Sequence, residues 1–239
     1  MTDIQDSARR SATELKPITW WAALLEIVAA LVVLILCISL LGIGTGVIWL
    51  GPLGTPITLL VISPLLWRRG ERWTTLGLRK NGSLKQTIVW GVLLSVAALV
   101  VLISVTALIG FFVPESSRSV DQSVLGDVRG NLWIYLYFVA VIAWLSQGLG
   151  EELLFRGFIQ ARFEQMFGRR RRSRTFAVLP QAILFGMLHS YQGLAGMIAT
   201  GCVGLIFGIA CLLLRRSLWP LILAHAICGA VLISWEFFR

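Results

Sequence analysis

Hydrophobic positions along this chain gather in uninterrupted apolar runs of about 20 residues, the length an α-helix needs to cross the hydrocarbon core of a bilayer. The runs cover 19–41, 47–67, 87–113, 132 to the mid-150s, 176–190, 194–214 and 218–237. They predict an all-α, polytopic transmembrane helical bundle of about seven spans, six to eight being the range. Pro52, Pro56 and Pro64 interrupt the second run and predict an irregular or partly re-entrant segment, and the fifth run is short, with Pro180 near its start. The polar stretch before the first run is followed by too long an apolar segment for a signal-peptide core, so that first span is expected to remain as an anchor.

Basic residues punctuate the runs with a consistent parity. They fall at Arg9, Arg10 and Lys16; at Arg68, Arg69, Arg72, Arg79, Lys80 and Lys85; at Arg162, Arg169 to Arg172 and Arg174; and at Arg215 and Arg216. With seven spans, these four segments lie on one side and hold seventeen of the 21 basic residues. That side is therefore expected to be cytoplasmic, with the N-terminus inside. The division expected is a cytoplasmic head at 1–18, generic spans over 19–130 with a basic loop at 68–86, and a catalytic membrane core at 131–239.

Composition agrees with lipid as the solvent. Of 239 residues 57% are hydrophobic and 14% charged, and the mean hydropathy is +0.82. The net charge of +9 would raise nucleic-acid binding in a soluble protein, but its placement between apolar runs assigns it to topology, and no nucleic-acid partner is expected. Cys37, Cys202, Cys211 and Cys228 all sit in apolar runs without CxxC spacing, which predicts free thiols. The localisation expected is multi-pass in the cell (inner) membrane.

Against this background a few charged groups stand out. Glu151, Glu152 and Arg156 lie inside the fourth run, where each charge costs on the order of 2.5 to 3.5 kcal/mol on insertion scales. Glu152 and Arg156 are four residues apart and share a helix face, while Glu151 points about 100° away, so one carboxylate is paired and the other free. A buried ion pair that only fixes packing would explain Glu152 and Arg156 and leave Glu151 unexplained. Both histidines of the chain, His189 and His225, also fall in predicted spans. In an antiparallel hairpin turning at the arginine loop, Glu151 and His189 lie equally far from the turn. Glu151 is about 16 Å from Arg162 and His225 about 14 Å from Arg216 at 1.5 Å per residue, so all three share a level if the hairpin tip, the amphipathic stretch 158–167, projects into the cytoplasm.

A carboxylate beside two imidazoles can activate water, hold a metal or relay protons. Amide hydrolysis needs a base, an acid for the leaving amine and oxyanion donors, roles open to Glu151, His189 and His225. No HExxH occurs, so no cofactor is expected, although a divalent metal such as zinc could take Glu151, His189 and His225 as ligands. No aspartate occupies a span, and Cys228, three residues after His225, lies in too apolar a setting for a thiolate. Ser146, Gln147 and Gln181 read as interhelical hydrogen-bonding groups, and Gly148, Gly150 and Gly157 as close-approach positions. Proton-coupled transport by the same groups lacks inverted repeats or paired broken helices.

Glu151-Glu152-Leu-Leu-Phe155-Arg156-Gly157 resembles the EExxxR motif, with its FRG continuation, of the CPBP intramembrane endopeptidases (CAAX prenyl protease type II and bacteriocin-processing, or Abi, proteins). Phe185-Gly-Met-Leu-His189 resembles that family's FxxxH, and the stretch from Ser217 to His225 resembles the approach to its last motif histidine. The resemblance covers about 148–229. It implies cleavage of a membrane-associated protein or peptide, with Glu151 activating water beside His189, Glu152 and Arg156 as a supporting pair, and His225 on the oxyanion side. In place of the HxxxN pattern the chain has Gly229, which offers no side-chain donor. The alternative is a non-catalytic membrane immunity or binding protein that keeps the fold. Substrate and oligomeric state are not specified by these residues.

Overall fold

The computed structural model describes residues 18–43, 47–112, 128–168 and 171–239. Most of the head at 1–18, Arg118 and the pair Arg169 and Arg170 lie outside the described residues. The described residues are all-helical and form seven main helices: α1 (Trp20–Gly42), α2 (Gly54–Arg68), α3 (Leu84–Phe112), α4 (Leu132–Phe167), α5 (Arg171–Leu188), α6 (Gly193–Leu213) and α7 (Trp219–Phe238). Five of them, all but α2 and α5, are long and apolar enough to cross a membrane, so this is a multi-pass membrane protein. α2 has 15 residues and α5 has 18 with Arg172 and Arg174 in its opening turns. At 1.5 Å per residue each is shorter than the roughly 30 Å of the hydrocarbon core.

The proline-rich second segment is helical in pieces. A turn at Val47–Leu50 leads into a 3-10 turn, Gly51–Leu53, with Pro52 in its first turn, where a missing N–H is tolerated. α2 then runs through Pro64, and the Ser63 hydroxyl donates to the Leu59 carbonyl at 2.7 Å. The indole N–H of Trp73 in turn donates to Ser63 at 2.9 Å, tying the basic loop to this helix.

α4 is one continuous helix of 36 residues. Asn131 caps it by accepting from the Ile134 N–H at 3.2 Å. From Phe138 to Ile159 the backbone is wound as a π-helix, and the loose winding closes with the Gln160 N–H bonded to the Phe155 carbonyl. π segments are usually single turns and recur at functional sites; here the winding spans the whole charged cluster.

The tip of α4 does not project freely into water. Gln160, Ala161, Arg162, Phe163 and Glu164 are all buried against the neighbouring helices. The reason is ionic: Arg162 is 0% exposed and donates to Glu26 Oε2 at 2.6 Å and to both oxygens of Glu71 at 3.3 and 2.6 Å. Glu26 also pairs with Arg69. Arg216 donates to Glu164 at 2.6 Å, and Asn81 reaches the Arg215 carbonyl at 3.1 Å. Three of the basic segments therefore gather at one end of the bundle, as the parity of the runs requires. All four cysteines are free thiols.

Candidate active site

α4 and α7 meet through Gly148. A methyl group there would lie 3.0 Å from both the Ala226 side chain and the Ile222 carbonyl oxygen, so only glycine lets the two backbones come this close. His225 of α7 is thereby delivered to the glutamate pair of α4.

Glu152 is fully buried, and its Oε1 accepts from Arg156 Nη1 at 2.8 Å and from His225 Nδ1 at 2.8 Å. A carboxylate oxygen already bound to a guanidinium has no proton to give, which assigns the imidazole proton to Nδ1. His225 Nε2 then faces Glu151 Oε2 at 3.8 Å. That separation is too long for a hydrogen bond and short enough for one water to touch both atoms. Glu151 Oε2 is buried and has no hydrogen-bond partner among the described residues, so it is an acceptor aimed at a space that something polar must fill.

His189 directly follows α5 and precedes a 3-10 turn at Ser190–Gln192. Its Nδ1 lies 2.7 Å from the Phe185 carbonyl oxygen, which can only accept, so this ring also carries its proton on Nδ1. No hydrogen bond or ion pair joins His189 to Glu151 or His225 among the described residues. Phe185 stands between the two imidazoles, its ring 4.6 Å from that of His189 and 6.1 Å from that of His225.

The structure thus brings Glu151, Glu152, Arg156 and His225 into direct contact and adds His189 across an aromatic spacer. Glu151 is paired with His225 rather than with His189, the partner that matched depth suggests, and Glu152 serves His225 as well as Arg156. Sequence reasoning left the two framing aromatic rings without a role. The guanidinium of Arg156, 0% exposed, lies 4.3 Å from the Phe185 ring and 5.4 Å from that of Phe207, and Phe207 also meets His225 edge-on at 5.8 Å. The i, i+4 spacing of Phe185 and His189 is the signal that could have found the first of these rings.

The side chains proposed above as metal ligands do not form a metal-holding group. Among the described residues no three His, Cys, Asp or Glu side chains are so placed; His225 and His189 each have Nδ1 engaged by protein oxygen, which leaves Nε2 as the free ring nitrogen of both. Gln181 makes the expected interhelical bond, donating to the Gly204 carbonyl at 2.8 Å. Gln147 departs from that expectation: its Oε1 is buried without a partner.

Residues 132–231 match the family model described as Type II CAAX prenyl endopeptidase Rce1-like. This is the family that the EExxxR and FxxxH motifs resemble, and the matched residues include every site side chain named above. No curated protein and no solved structure matches the chain.

Proposed function

Because residues 132–231 fall in a family of CAAX prenyl endopeptidases, we propose that this protein is an intramembrane endopeptidase that hydrolyses a peptide bond in a membrane-associated protein or peptide with water activated by Glu151. The observation that carries this reading is the unpartnered Glu151 Oε2 facing His225 Nε2 at 3.8 Å. A water placed there donates one hydrogen to each acceptor. As its oxygen attacks the scissile carbonyl carbon, Glu151 takes the proton, and the carbonyl becomes an oxyanion. Glu151 then returns the proton to the amide nitrogen, the C–N bond breaks, and the products are a carboxylic acid and an amine.

Glu152 and Arg156 act one step back, as positioning residues. Glu152 holds the Nδ1–H tautomer of His225 and so keeps Nε2 an acceptor towards water. His189 is the second imidazole available to a bound substrate. The reaction as written passes through protein side chains and water alone.

The test is a comparison of membranes from cells carrying the wild type or Glu151→Gln, with uncleaved precursors quantified by mass spectrometry and repeated with a chelator. Precursors should accumulate in the variant, the purified variant should keep the wild-type melting temperature, and the chelator should leave wild-type cleavage unchanged. Undiminished processing by Glu151→Gln would remove this reading. A non-catalytic membrane protein, the alternative that Gly229 suggests, would show no change in any precursor.

A further inference from the structure

The proposed reaction needs a donor for the oxyanion, and the groups already described do not provide one. Glu151 and Glu152 are acceptors. The Nδ1–H of His225 is held by Glu152 and that of His189 by the Phe185 carbonyl. Arg156 is sealed from any accessible space and packed against Phe185.

One amide lies a turn away from the Glu151–His225 pair. Gln147 lies four residues before Glu151 on α4, and Gly229 lies four residues after His225 on α7. The two helices run antiparallel, so Gln147 and Gly229 are opposite one another, one turn from the Glu151–His225 pair. A β-carbon on Gly229 would collide with Gln147 Oε1, and would also lie 3.1 Å from the Ala143 side chain. The carboxamide of Gln147 therefore fills the notch that the missing side chain at 229 leaves. Its Oε1 is buried and unpaired, and no hydrogen bond to either end of the carboxamide forms among the described residues.

An amide that bonds nothing in the resting protein contributes little to holding helices together, because an unsatisfied buried polar group is destabilising. Such a group is poised for a partner that arrives with the substrate. We propose that Gln147 donates a side-chain N–H to the oxyanion formed during peptide hydrolysis, the donor being carried by α4 because position 229 on α7 has none. This rests on the endopeptidase reading. It makes Gly229 a complement to Gln147 rather than a mark of lost activity: the glycine leaves the room that the longer amide occupies.

The experiment follows the precursors that accumulate with Glu151→Gln and measures their rate of loss in isolated membranes carrying each variant. Gln147→Leu keeps the bulk of the side chain and removes the amide. It should slow cleavage by about 10²-fold or more, the usual effect of deleting one such donor, with a melting temperature equal to or above that of the wild type. Gln147→Ala should be similarly slow. Adding Gly229→Asn to Gln147→Ala places an amide in the vacated notch from the other helix and should recover at least about tenfold of the rate, a rescue that a packing role does not produce. Gly229→Asn alone should be destabilised by collision with Gln147.

Cleavage by Gln147→Leu within about threefold of the wild type, far short of the effect expected for a donor, overturns the proposal. So does a double variant no faster than Gln147→Ala. These results are separable from failure of the endopeptidase reading, in which the wild type and Glu151→Gln would not differ and the Gln147 inference would fall with it.

Discussion

Replacing Glu152 with alanine strips Arg156 of its one carboxylate partner among the described residues and leaves a guanidinium with 0% exposure and no counter-charge. Two of its nitrogens, Nε and Nη2, have no partner even in the intact protein, so no second acceptor is at hand to take over. Breaking a buried pair in this way destabilises by about 3–5 kcal/mol. The stacking of Arg156 on Phe185 survives the substitution and recovers none of that loss. The reverse change, Arg156→Met, is milder: Glu152 keeps its 2.8 Å bond from His225 Nδ1, and the loss should be about 1.5–3 kcal/mol, the range for one hydrogen bond to a charged group. Combining Glu152→Ala with Arg156→Met removes both charges together and should be less harmful than Glu152→Ala alone, giving a coupling energy of at least about 1.5 kcal/mol. Reversible unfolding in mixed detergent micelles, followed by far-ultraviolet circular dichroism, measures all four proteins of the cycle. Losses under about 1 kcal/mol that simply add in the double variant would refute the pairing and its burial, since a pair of this kind in water gives that result.

At the other end of α4, Arg162→Leu leaves the Glu26 and Glu71 carboxylates without their shared guanidinium. It should destabilise by about 3–5 kcal/mol with little dependence on salt; a loss that disappears at high ionic strength would show the network to be solvated. Arg129→Ala serves as the contrast, because its pair with Glu236 leaves the arginine side chain 45% exposed, and its effect should stay within about 1 kcal/mol and fade with salt. Gly186→Ala puts a methyl 2.6 Å from the Met197 carbonyl oxygen and 3.1 Å from Gly201 Cα. Backbone on both sides cannot yield, so α5 must move away from α6, lowering stability by about 1–3 kcal/mol and slowing cleavage through displacement of His189 three residues on. An unchanged melting temperature would mean that the two helices are not in contact there.

The fold was legible because lipid leaves the backbone few choices. An apolar run of 20 residues must bond its own peptide groups, and a helix does so. The boundaries of α1, Trp20–Gly42, and α7, Trp219–Phe238, accordingly lie within one or two residues of the runs 19–41 and 218–237. Pro52 and Pro64 show how the same rule bends, with one absorbed by the first turn of a 3-10 segment and the other carried inside α2 beside a hydroxyl that bonds a carbonyl. Arg162 was readable as a topological charge but not as a buried one. Its partners Glu26 and Glu71 lie 136 and 91 residues away in the chain, and no local spacing connects them.

For the site, local spacing found the residues and could not assign the pairs. Depth along a helix follows from counting residues, and the structure does bring Glu151 within 3.8 Å of one imidazole, that of His225. Direction around the helix axis decides which imidazole, and it depends on which neighbour comes closest. α5 lies mainly against the Gln160–Phe167 end of α4, whereas α7 crosses the charged turn at Gly148, where a methyl group would lie 3.0 Å from the Ala226 side chain and the Ile222 carbonyl oxygen. His225 is next to Ala226 and therefore reaches both glutamates, one at each ring nitrogen. The adjacent carboxylates acquire different chemistry: Glu152 Oε1 accepts from both Arg156 and Nδ1, while Glu151, with no bond to either of its oxygens among the described residues, faces Nε2 with a lone pair to spare. A small residue one turn before a buried charge is thus the feature that carries directional information in a membrane sequence, since it marks the face on which another backbone can come near enough to place a partner. Gln147, immediately before that glycine, lies on the same crossing and inherits the same proximity to α7.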